Sequence, residues 1–192
     1  MKPTALSLAL AGELYLGRSY SEMDCQAFVE RCLKDIGISM DLAGSNAWYR
    51  KMTWTGTPEE CVKRFGSVPA GAFLFILDQD GKEPAKYRGD GIGNASHIGI
   101  KTGRTQEQML QAGLKRIAAK YPDRKTERAA AQRAFRKKVG FGSGAIHSSK
   151  TRGCVASSRF ANRTISGGWN RVGLWDRLDY GVKINEKLMT ED

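Results

Sequence analysis

Met23-Asp24-Cys25-Gln26-Ala27-Phe28-Val29-Glu30-Arg31-Cys32-Leu33-Lys34-Asp35-Ile36-Gly37 is the stretch on which the fold turns. Phe28, Cys32 and Ile36 recur at i, i+4 and i+8 with Val29 and Leu33 beside them, so the spacing predicts a helix over 25–36 that Gly37 ends. Its first residue is a cysteine. A thiol at a helix N-terminus meets the positive end of the dipole and unpaired backbone N–H groups, an environment that favours the thiolate. Working outward, Thr57, Pro58 and Glu60 announce a second short helix through a cap, an N1 proline and a reaching glutamate, with Val62 and Phe65 as its buried side. The apolar run 72–77, opened by Gly71 and closed by Asp78, Asp80 and Gly81, reads as a strand buried on both faces. Two further strands are predicted at 97–101 and 145–148. One leading helix followed mostly by strands is an α+β arrangement, not alternating βαβ units.

Between those last two strands the pattern changes. Leu110, Leu114, Ile117 and Tyr121 form a helical stripe stopped by Pro122, and 126–139 is a second helical stretch rich in Ala, Arg and Lys, so residues 104–140 read as a helical hairpin inserted into the domain. From Arg104 to Lys138 eleven Lys and Arg stand against three acids, which is +8 of the chain's +11. The 192 residues suit one domain, and 41% hydrophobic content gives enough material for a core. The charge predicts attraction to a polyanion, such as a bacterial wall polymer, without choosing the fold. No aromatic-rich stacking platform accompanies it, which disfavours nucleic acid.

No run approaches the roughly 20 apolar residues of a spanning helix, and 6–11 is an apolar run with no cleavage site after it, so the expectation is synthesis in the cytoplasm without a signal peptide. Cys25, Cys32, Cys61 and Cys154 lack any CxxC pairing, which argues against zinc and against a disulfide scaffold. Cys32 lies two turns, about 10 Å, from Cys25 and reads as core. Asp78-Gln79-Asp80-Gly81 lacks the further ligands of a calcium loop, and the alternating glycines of 89–93 lead to neither a dinucleotide fingerprint nor a P-loop, so the expectation there is a flexible loop beside the site. No metal and no cofactor are expected. Trp169, Trp175 and Gly167-Gly168 are assigned to core packing and turns.

The chain has two histidines, His97 in Ser96-His97-Ile98-Gly99-Ile100 and His147 in Ile146-His147-Ser148-Ser149. One thiol, one imidazole base and one group to orient that base are the minimum for covalent acyl transfer. The backbone N–H of Cys25 and a neighbouring donor would hold the oxyanion.

Tyr20-Ser21-Glu22-Met23-Asp24-Cys25, Pro69-Ala70-Gly71-Ala72-Phe73, Ser96-His97-Ile98-Gly99-Ile100 and Ile146-His147-Ser148-Ser149, in that order and spacing, resemble the NlpC-type cell-wall cysteine peptidases over roughly residues 15–160. The resemblance implies a papain-like α+β domain, its nucleophile helix packed on an antiparallel sheet, that hydrolyses peptidoglycan stem peptides between γ-D-glutamate and the diamino acid. It implies Cys25 as nucleophile, His97 as base and His147 as the orienting residue. Tyr20, Asp24, Gln26 and Ser96 would face the substrate. Two departures stand out: Gln26-Ala27 replaces the usual Ser-Gly, and the basic hairpin occupies what is commonly a short connection. The missing export signal points to release by phage lysis, carriage on a phage particle, or a recycling role. Amidase or acyltransferase chemistry on the same fold, and a non-catalytic basic wall-binding module, are the alternatives.

Overall fold

The computed structural model describes residues 1–138, 144–160 and 168–184. Among these the chain is mixed α+β, with six α-helices and a six-stranded sheet in the order β1-β6-β2-β3-β4-β5, antiparallel throughout. The strands are β1 Trp54–Gly56, β2 Phe73–Asp78, β3 Asn94–Lys101, β4 Gly144–Ser149, β5 Cys154–Arg159 and β6 Arg171–Leu174. The helices are α1 Ala5–Leu14, α2 Cys25–Asp35, α3 Ser45–Lys51, α4 Pro58–Phe65, α5 Gln106–Lys120 and α6 Lys125–Lys138.

The predicted leading helix is α2, capped by Asp24, whose Oδ1 accepts from Ala27 N at 2.8 Å, and followed by Gly37 at φ 84°. Phe28, Val29, Cys32 and Leu33 are its buried stripe. It is not the only helix on that side of the chain. The 6–11 run lies within α1, and α3 follows α2, so three helices precede β1 where one was expected. α1 escapes a periodicity reading because Leu8, Ala9, Ala11 and Gly12 are buried on several sides at once and leave no polar face to contrast with. The α4 capping box between Thr57 and Glu60 forms as predicted, but Cys61 is the fully buried residue of that helix, with Val62 and Phe65 only partly covered.

Alternation along the central strands divides the core in two. Phe73, Phe75, Ile98, Ile100 and Ile146 join α1, α2 and α3 in the larger cluster. Ala72, Leu74, Ala145, Val172 and Leu174 face the other way with Cys61 of α4 and Trp169. His97 and Gly99 share a face with this second set, because period-2 alternation opposes them to Ile98 and Ile100. Trp175 is core, as assigned, packed edge-on to Trp48 at 5.7 Å. Gly167 and Val139 lie outside the described residues.

α5 and α6 form the hairpin between β3 and β4. Phe135 of α6 is buried over Gly113 of α5, where a Cβ would overlap its ring, and over Gly17. Arg104 pairs at 2.9 Å with Glu13, a carboxylate only 2% exposed, while Arg116 donates to the Glu13 carbonyl at 2.8 Å. The hairpin is therefore clamped to the C-terminal end of α1 and the connection that follows it.

Candidate active site

β3 carries His97 and β4 carries His147, and the two strands pair only at Ile100 with Ile146 and Lys101 with Ala145. Towards His97 they are no longer paired, and the imidazoles meet across the opening with Nε2 of His97 2.7 Å from Nδ1 of His147. A register shift at Ile76/Leu77 makes Ser96 the extra residue of a bulge directly before His97. Bulges bend a strand and re-aim the side chain that follows. α3 fixes the same point from the other side: Asn46 Oδ1 accepts from Ala95 N at 2.9 Å, and Ser45 Oγ donates to the Ala95 carbonyl.

Cys25 is the first residue of α2 and is partly buried. The backbone N–H of Ile98, next to His97, bonds its sulfur, and the N–H groups of Gln26 and Cys25 itself also face it. Among the described residues Cys25 and His97 share no hydrogen bond. Ser148, fully buried on β4 beside His147, donates its hydroxyl to the Met23 carbonyl and so ties the start of α2 to the histidine strand. Tyr20 completes the cluster, since burial first, and then Cys25 and Asp24, push the pKa of its hydroxyl up.

The electrostatics correct one expectation. Burial raises the Cys25 thiol pKa, with Asp24 adding to the effect, and the N–H groups of Ile98, Gln26 and Cys25 only partly offset it. The helix end does not yield a resting thiolate, because desolvation of the sulfur outweighs those donors. Burial likewise lowers His97 to about 4, and His147 falls further under burial and the charges of His97 and Arg152. At rest the thiol and both imidazoles are neutral, and among the described residues the histidines bond each other and not Cys25.

Trp169 packs against both imidazoles, although sequence reasoning assigned it to the core. Its ring stacks on His97 at 5.4 Å and 24°, stands edge-on to His147 at 5.1 Å, and is anchored by Nε1 donating to Ser158 Oγ at 3.1 Å. Gly99 makes the room: a Cβ there would lie 2.7 Å from the Trp169 ring and 3.0 Å from the Ile146 carbonyl. The glycine two residues after His97 is the one sequence signal that something large crosses that face.

The remaining site residues are held differently. Gln26 turns away from Cys25, its Nε2 donating to Glu30 at 2.8 Å and to the Leu42 carbonyl. Its amide braces the loop after α2, with Glu30 also accepting from Leu42 N and Trp48 Nε1. Ser96 is exposed and donates to Asp78 Oδ2 at 2.7 Å. Asp80 accepts from Lys82 N and Asn94 Nδ2, so the Asp-Gln-Asp-Gly segment is used as a turn. The loop before β3, expected to be flexible, is tethered by Arg50, which reaches Asp90 at 2.7 Å, the Gly93 carbonyl, and the Tyr87 ring at 4.2 Å.

No family model, no curated protein and no solved structure matches this chain. No helix among the described residues is long and apolar enough to cross a membrane.

Proposed function

We propose that the chain is a cysteine endopeptidase that cleaves peptidoglycan stem peptides, at the bond between γ-D-glutamate and the diamino acid, through an acyl-enzyme on Cys25. The observation that carries this reading is the 2.7 Å bond between His97 Nε2 and His147 Nδ1, next to a thiol held on the N–H of Ile98. With Nε2 engaged, Nδ1 is the nitrogen left to work as base. The required tautomer has His97 Nε2–H donating to His147, whose own proton is then on Nε2.

In the first step Sγ attacks the scissile carbonyl while its proton passes to His97 Nδ1, which then protonates the departing amine. Water, deprotonated by the same nitrogen, hydrolyses the thioester and returns the thiol. The Cys25 N–H stabilises the oxyanion. A neutral resting pair suits this route, because proton transfer is coupled to attack and no ion pair is stored beforehand. Tyr20 and Asp24 stand beside Cys25 as candidate substrate contacts, while the committed amide of Gln26 argues for a role in loop support. The wall as substrate rests on the four sequence elements quoted above, and access to it on release by phage lysis or carriage on a phage particle.

Mass spectrometry of purified peptidoglycan and defined stem peptides, incubated with the wild-type chain and with Cys25→Ala, tests the reading. Fragments cut after γ-D-glutamate from the wild type alone support it. A different bond would move it to amidase chemistry, and release as an adduct with an added amine to acyl transfer. No fragments from several wall chemotypes would overturn it in favour of a binding module.

A further inference from the structure

The hairpin carries a surface the chemistry at Cys25 does not use. At about 100° per residue, Lys125, Arg136, Arg133 and Lys137 of α6 fall at roughly 0°, 20°, 80° and 120°, one arc of the helix. All four are exposed. Phe135, the one aromatic of α6, points away from that arc and is buried against Gly113 and Gly17. Glu127 falls at about 200°, also off the arc. Among the described residues no carboxylate lies within ion-pair distance of any of the four. From Lys125 to Lys137 the stripe runs about 18 Å, at 1.5 Å per residue. The described acidic residues leave these four cations unpaired.

We propose that this face of α6 is a docking surface for a flexible phosphodiester polymer without bases, of the poly(alditol phosphate) kind. Charge selects a polyanion. The arc has no large apolar residue to enter a bilayer, which interfacial helices require. It has no aromatic side chain to stack on bases. What remains suits a chain of spaced phosphates held by exposed ammonium and guanidinium groups. α6 packs on β5, the strand beside β4 with its His147, and on Gly17, in the connection that leads to Tyr20. A polymer seated there lies on an element clamped to the domain by Phe135 and the Arg104–Glu13 pair.

The test is binding of the full-length chain to poly(glycerol phosphate), by titration from 50 to 300 mM salt, with duplex DNA and anionic vesicles as competitors. The quadruple variant Lys125→Gln, Arg133→Gln, Arg136→Gln, Lys137→Gln should bind at least tenfold more weakly. Its slope of log affinity against log salt should fall by about 3, at roughly 0.7 for each lost phosphate contact. A control of equal charge loss elsewhere, Lys34→Gln, Lys51→Gln, Lys63→Gln, Lys86→Gln, should keep the wild-type arc's affinity within about threefold. Equal losses in both variants would reduce the effect to net charge and overturn the proposal. Tighter binding of duplex DNA than of the polymer would replace the proposed partner, and so would tighter binding of vesicles. Cys25→Ala should bind as the wild type does, so this surface and the peptidase reading stand or fall separately. A thermal melt of each variant separates lost binding from lost fold.

Discussion

Ser148 donates its hydroxyl to the carbonyl of Met23, so one buried hydrogen bond joins the strand of His147 to the residue two places before Cys25. Met23 is itself buried and Asp24 caps the helix directly after it. The spacing between the helix of Cys25 and the strand of His147 is thus fixed by a residue outside the proposed proton transfer. Ser148→Ala leaves a carbonyl without its partner and should cost about 1–3 kcal/mol. It should also lower kcat more than it raises KM. A chemical denaturation series with steady-state kinetics checks both, and an unchanged kcat in a destabilised variant would remove Ser148 from the positioning of the site.

His147 holds one ring nitrogen of His97, so its loss frees the proposed base to rotate and to take either tautomer. We expect His147→Ala to lower kcat by about 10²- to 10⁴-fold, in the range set by removing the orienting member of a comparable constellation. His147→Asn can still accept at a similar place and should recover part of the loss. Equal rates in the two variants would mean that His147 acts only as packing.

Both histidines are buried neutral, with His97 lowered to about 4. Between that value and the unfolded value of about 6.5 the unfolded chain binds protons that the native chain refuses, so stability is full above about pH 6.5 and is lost as pH falls towards 4. Each excluded proton contributes at most about 1.4 kcal/mol per pH unit in that window. Urea midpoints at pH 7, 5.5 and 4.5 should decline steeply in the wild type and less so in His97→Gln/His147→Gln. A parallel decline in both would assign the acid sensitivity elsewhere.

Gly99 and Trp169 make a further check on the site. A methyl group at 99 enters the Trp169 ring, so Gly99→Ala should cost about 1–3 kcal/mol by overpacking and lift the tryptophan off His97. The His97 pKa, read by NMR, should then climb from about 4 towards 6.5 as water reaches the ring. Trp169→Leu should move it in the same direction without the overpacking. A pKa that stays put in both would show that burial comes from other groups.

Phe135 holds the hairpin against α1 and the loop to Tyr20. Phe135→Ala opens a buried site and should lower stability by about 3–5 kcal/mol in the range for core aromatics. Limited proteolysis should then cut within 104–138 well before the sheet. Cleavage at the same sites and rates as in wild type would mean that the contacts of Arg104 and Arg116 with Glu13 secure the hairpin without Phe135.

The elements with local signals could be read directly from the order of residues. α2 was legible because Phe28, Cys32 and Ile36 repeat at helical spacing behind a capping aspartate, and α4 because Thr57, Pro58 and Glu60 spell a capping box. β2 was legible as an unbroken apolar run, and the basic hairpin as two helical stretches split by Pro122. Cys25, His97 and His147 stood out through scarcity and context. How these residues meet emerges in the folded chain. The pairing of His97 with His147 depends on where β3 and β4 part, and the place of Trp169 depends on β6 bringing residue 169 back beside β2 and over Gly99. α1 and α3 and the short strands β1, β5 and β6 had no periodicity of their own to read, since they are shaped by the neighbours that bury them. The protonation state was decided there too. A helix N-terminus favours a thiolate through local dipoles, but how far the sulfur and the imidazoles are removed from water is set by side chains distant in the chain, and at this site that desolvation is the larger effect.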